Sequence, residues 1–135
     1  MNVQRLAVVG SVVAVIAAVV ASLMLLGSPA EQRLLRLDEQ RAAELGRLSR
    51  AVLSRWDDER RLPDTAGELV DGRALTALPT DPATHAPYEY RITGPRQFEV
   101  CASFDRPSRS EPGDFWFHEA GHRCFTFNVT DRPSD

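Results

Sequence analysis

Residues 118–122 read His118-Glu119-Ala120-Gly121-His122, a literal match to the H-E-x-x-H pattern. On an α-helix the two histidines share a face and can grip Zn²⁺ while the glutamate activates the metal-bound water. That is the chemistry of a zinc hydrolase, with His118 and His122 as ligands and Glu119 as base. Cys101 and Cys124 offer other chemistries. With the same histidines they could close a Cys₂His₂ tetrahedron around a structural zinc, or they could oxidise to a disulfide and leave the histidines as exposed turn residues. Asp105, Ser108, Ser110, Glu111 and Asp114 punctuate the loop between them. Their spacing does not reproduce an EF-hand, so the segment reads as solvated loop with a calcium option.

The elements that would position these residues decide between the readings. A hydrolase needs residues 118–122 in a helix. The motif instead follows Phe115-Trp116-Phe117 and runs into Arg123-Cys124-Phe125-Thr126-Phe127-Asn128-Val129, whose alternation calls for a strand, and Gly121 interrupts any helix. No third ligand follows His122 at a suitable spacing. The expectation is a turn entering a strand, with no catalytic residue and no resident cofactor.

Three strands are expected, Tyr88–Thr93, Arg96–Phe104 and His122–Val129, with Gly94-Pro95 turning the chain between the first two. Alternation puts Phe98, Val100, Ala102 and Phe104 on one face with Phe125, Phe127, Val129, Tyr88, Tyr90 and Ile92. Cys101 and Cys124 then share the other face and can meet as a cross-strand pair. Closing residues 101–124 would stabilise the fold by roughly 3.5 kcal/mol on a chain-entropy model. A disulfide implies an oxidising compartment.

Before the strands, residues 30–60 are rich in Leu, Ala, Glu, Arg and Gln and read as an amphipathic helix. Leu34, Leu37, Leu45, Leu48, Val52 and Trp56 form its apolar stripe, interrupted by Arg41, and Leu62-Pro63 is expected to end it. Thr65-Ala66-Gly67-Glu68 fits a capping box for a short helix that Gly72 could close.

The chain has 135 residues, a net charge of −3 and 43% hydrophobic content, much of it in the uncharged run Leu6–Leu26. As a helix that run is about 31 Å long, enough to span a bilayer and longer than the apolar region of a typical cleaved signal. Gly10, Ala14, Ala18 and Ser22 recur on one of its faces, either as a helix-packing seam or as an accident of Ala/Val-rich composition. Arg5 precedes the span and Arg33, Arg36 and Arg41 follow it, which would put the body in the cytoplasm; cysteine usage favours the opposite side. All 16 basic residues are Arg, interleaved with acids and without a basic patch, so nucleic acid is not an expected partner. The small body excludes a polytopic transporter or a multidomain enzyme.

The stretch Leu78-Pro79-Thr80-Asp81-Pro82-Ala83-Thr84-His85-Ala86-Pro87-Tyr88-Glu89-Tyr90 resembles the segment before the first sheet strands of type II secretion pseudopilins and related type IV pilin-like proteins. The resemblance implies a pilin-like fold, with a membrane helix, a long amphipathic continuation and a small antiparallel sheet. Met1 to Leu26 contains no acidic residue, so the prepilin cleavage motif with its following Glu is absent. Phe98-Glu99-Val100-Cys101-Ala102 and His118 to Phe125 are also similar to segments of bacterial membrane-anchored proteins, a likeness that implies no activity.

The sequence therefore leads to an α+β protein with a short flank (1–5), a transmembrane helix (6–26), a linker and long amphipathic helix (27–62), a small α+β domain (63–130) and a disordered tail (131–135). The expected role is that of a single-pass structural or interaction component of the cell envelope, its body outside the cytoplasm. Its partners would be the membrane, other membrane helices or envelope proteins. The alternative is a membrane-anchored zinc hydrolase.

Overall fold

An uncharged apolar run satisfies its amides within itself most simply as a helix. In the computed structural model, which describes residues 2–26 and 28–129, it forms α1, Val3–Leu26. The helix starts three residues before the expected span, taking in Gln4 and Arg5. It is long and apolar enough to cross a membrane, and its Val, Leu and Ile side chains from Val3 to Leu25 are exposed. Gly10, Ala14, Ala18 and Ser22 lie on it, and the Ser22 hydroxyl donates to the Ala18 carbonyl at 2.8 Å. Gly27, the first residue of the expected linker, and the expected tail at 131–135 lie outside the described residues.

The chain divides into compact units at Arg33–Leu34. Helix α2, Pro29–Glu59, begins as its sequence requires. Ser28 Oγ accepts from the Glu31 amide at 3.2 Å, and Pro29 takes the first helical position, where its missing N–H costs nothing. The helix stops before Leu62-Pro63. Arg60 adopts a left-handed backbone (φ 54°) while its amide still bonds the Trp56 carbonyl at 2.8 Å. The capping sequence at Thr65 produces one 3₁₀ turn, Ala66–Leu69, with Glu68 Oε1 accepting from the amides of Asp64 (2.9 Å) and Thr65 (3.3 Å). Val70, and not Gly72, ends it.

Strands β1 (Glu89–Gly94), β2 (Gln97–Phe104) and β3 (Gly121–Asn128) form an antiparallel meander in the order β1-β2-β3. Their alternation behaves as the sequence requires. Phe98, Val100, Ala102, Phe104, Phe125 and Phe127 are buried in one cluster with Leu45, Leu48, Ala51 and Val52 of α2 and with Leu62, Leu69, Leu75 and Tyr88. Phe98 stacks on Phe127 with ring centroids 5.1 Å apart. Ile92, expected on this side, remains exposed, because it lies near the hairpin end of an edge strand. Cys101, on the opposite face, is nonetheless buried.

The apolar stripe of α2 conceals an ion cluster. Arg41, which the sequence presents as an interruption, is buried together with Asp38. Its Nη1 donates to Asp38 at 2.7 Å and to Asp105 at 2.6 Å, and its Nε donates to Asp81 at 2.6 Å. Asp38 also accepts from the backbone amides of Asp105 (2.9 Å) and Arg106 (2.7 Å). Asp81 Oδ1 holds the Pro-rich turn by accepting from the amides of Ala83 (2.9 Å) and Thr84 (2.8 Å).

Burial alone would raise the Asp81 carboxyl, but the Arg41 hydrogen bond and the Thr84 and Ala83 amides hold it down at about 2. Its folded pKa lies below its unfolded value. Its stabilisation is therefore present above the unfolded pKa of about 4 and lost as pH falls through the folded one. Denaturant unfolding of the full-length chain in detergent should show about 2 kcal/mol lost from this group between about pH 5 and about pH 2. Asp81→Asn should be less stable at neutral pH with a flatter acid limb; parallel acid limbs in the two proteins would disconnect Asp81 from folding.

Candidate functional site

The H-E-x-x-H residues do not form a helix. Residues 117–120 are irregular, and Gly121, with φ 101°, opens β3. A positive φ at this position is accessible to glycine at little cost and redirects the chain into the strand. His118 is buried, contrary to its expected exposure, and its ring stacks on Phe104 with centroids 3.7 Å apart. Its Nδ1 lies 2.8 Å from the Trp116 carbonyl, which can only accept, so Nδ1 carries the proton. Nε2 is buried without a hydrogen-bond partner. The His118 backbone exchanges bonds with Ser108, its amide donating to Oγ at 3.2 Å and its carbonyl accepting from the Ser108 amide at 2.8 Å.

His122 takes a different course. It lies on the exposed side of β3, with Nε2 3.0 Å from Glu89 Oε1, while Glu119 faces solvent. His118 is thus committed to an aromatic contact and a carbonyl, and His122 to a carboxylate on β1. The two imidazoles do not converge, and the hydrolase arrangement is not formed.

The outer face of the sheet gathers the remaining chemistry. Cys101 and Cys124 stand opposite one another in the β2–β3 register and form a disulfide, their Cα atoms 4.1 Å apart. Arg91 on β1 places Nη2 3.3 Å from Cys124 Sγ and 3.5 Å from Cys101 Sγ. The ligand atoms of Cys101, Cys124 and His122 lie within 4.8 Å of one another, but His118 is not among them. The alternative Cys₂His₂ set is therefore incomplete, and the expected disulfide withholds the thiolates that a zinc site needs. Beside the disulfide opens a cleft of about 360 Å³, lined by Glu89, Cys101, Ser103 and His122 on the sheet and by Pro87 and Arg41.

Asp105, Ser108 and Ser110, three of the loop residues offered for calcium, are directed elsewhere. Asp105 is bound to Arg41, and the Ser110 hydroxyl donates to Ser108 Oγ at 3.0 Å. A second groove, of about 370 Å³, lies between α2 and the 107–118 segment, with Ala42, Ala43 and Gly46 on the helix facing Trp116 and His118. A Cβ at Gly46 would meet the Trp116 ring at 3.4 Å, so the absent side chain admits the indole. Sequence reasoning missed the Arg41 cluster, the Arg91–sulfur contact and this groove. Only Arg41 left a signal, a charge at a position where the helix period demands an apolar residue.

No family model, curated protein or solved structure matches the chain.

His118 and Glu119 can be separated by substitution. His118→Ala should lower stability by on the order of 2 kcal/mol through the cavity left against Phe104, and Glu119→Ala should leave it unchanged. Metal analysis of the oxidised full-length protein after incubation with zinc should find only a substoichiometric amount; one tightly held zinc per chain would revive the metal readings.

Proposed function

We propose that this chain is a single-pass component of the cell envelope, anchored by α1, whose disulfide-containing body is displayed outside the cytoplasm and acts by binding other envelope components. The observation that carries this reading is the combination of an apolar helix, Val3–Leu26, whose large apolar side chains from Val3 to Leu25 are exposed, with a body whose two cysteines are joined to each other. An exposed apolar surface of that length is stable in lipid and a liability in water, and a disulfide forms and persists where the surroundings are oxidising.

The finer reading is a pilin-like body. An amphipathic helix whose apolar side packs with an antiparallel meander supports it, as does the Pro-rich segment held by Asp81 ahead of β1. The separation of His118 from His122 favours an interaction role over the zinc hydrolase, and the small-residue face of α1 is available to a neighbouring membrane helix.

The positive charges flanking α1 oppose this orientation, so the deciding experiment must read the side of the membrane. In intact cells, a membrane-impermeant reductant followed by a membrane-impermeant maleimide should label Cys101 and Cys124, with no labelling when the reductant is omitted. Labelling only after the membrane is opened, without need of reductant, would place the body in the cytoplasm with free thiols.

A further inference from the structure

The two sulfurs of the disulfide differ in a way that a purely structural cross-link does not require. Cys101 is 1% exposed, whereas Cys124, on the edge strand β3, is the more accessible of the two. Arg91 reaches both from the far edge strand, spanning β2 to do so. Its guanidinium is half exposed and is flanked by Glu99 at 3.6 Å.

We propose that Cys101–Cys124 is an exchangeable disulfide that accepts two electrons from a protein or peptide dithiol, with Cys124 the sulfur attacked and Arg91 holding the departing Cys101 thiolate. In thiol–disulfide exchange the attacking species is a thiolate, the site of attack follows access, and a better-stabilised leaving thiolate leaves faster. The donor thiolate attacks Cys124 Sγ. A bond forms between the donor sulfur and Cys124 as the Cys124–Cys101 bond breaks, and the electron pair departs on Cys101 Sγ. The cation that donates to this sulfur offsets the cost of a thiolate in a buried position. The donor's second thiolate then attacks its own sulfur in the mixed disulfide and expels Cys124. The donor ends as a disulfide and the chain as a dithiol, the two protons of the donor passing to Cys101 and Cys124. This assignment needs only the outer face of the sheet and stands apart from the membrane orientation proposed above.

The test uses the full-length chain in detergent with dithiothreitol as the dithiol. Arg91→Gln keeps the disulfide and should slow reduction by on the order of tenfold, while Arg91→Lys, which retains the charge, should recover most of the rate. The melting temperature of the oxidised protein should be the same in all three. Glutathione disulfide offered to the single-cysteine variants should then form a mixed disulfide at Cys124 in Cys101→Ser on the order of tenfold faster than at Cys101 in Cys124→Ser. Reduction of Arg91→Gln at the parent rate would overturn the role of Arg91. Equal trapping at the two sulfurs would overturn the assignment of Cys124; if the single-cysteine variants do not fold, mass spectrometry of the quenched parent reaction with the donor on Cys101 would do the same.

Discussion

One guanidinium holds together the parts of this body that the hydrophobic core cannot orient. Arg41 projects from the apolar stripe of α2 and meets carboxylates from its own helix (Asp38), from the Pro-rich turn before β1 (Asp81) and from the residue after β2 (Asp105). Burying a charge is costly unless it is paired and its remaining hydrogen-bonding positions are filled. Here the filling is reciprocal: Asp38 and Asp81 spend their other acceptor capacity on backbone amides of the segments they fix. Hydrophobic burial is non-directional and leaves the two connections free to slide. The ion cluster sets where the turn enters the sheet and where the chain leaves β2.

The placement of the chemistry-bearing residues follows. The segment leaving β2 at Asp105 returns along α2, puts Trp116 over Gly46 and His118 over Phe104, and reaches β3 through the positive φ of Gly121. His118 therefore ends among core aromatics while His122 emerges on the outer face beside the cysteines. A five-residue pattern that on a helix would be one zinc site is divided between two environments. The outer face instead collects a disulfide, a cation on both sulfurs and an imidazole–carboxylate pair.

What the sequence made legible was what depends on local period. Strand alternation assigned Phe98, Val100, Phe104, Phe125 and Phe127 to one side and paired Cys101 with Cys124, because a period of two admits few registers once one face is buried. Helical spacing located α2 to within a residue or so at each end of residues 30–60. Contacts between distant segments were not legible. Arg41 lies 40 residues from Asp81 and 64 from Asp105, and no periodic pattern links them, so a buried ion cluster read as a flaw in a stripe. Arg91 was hidden for a related reason. It joins the sulfurs only because β1 flanks β2 in this topology, with Arg91 paired to Glu99, two residues from Cys101.

Arg41 is required to compensate three carboxylates brought together by the fold. Substitution by methionine, of similar length and without charge, tests it through the pH dependence of unfolding of the full-length chain. At neutral pH the loss of one partner from a buried cluster is expected to cost about 3–5 kcal/mol. Deprived of the cation, Asp81 stays buried but loses the hydrogen bond that holds its carboxyl down, so its folded pKa rises towards the unfolded one and Arg41→Met should lose less stability on acidification than the parent. A variant within about 1 kcal/mol of the parent at neutral pH, with a parallel pH profile, would mean that the three carboxylates do not depend on Arg41.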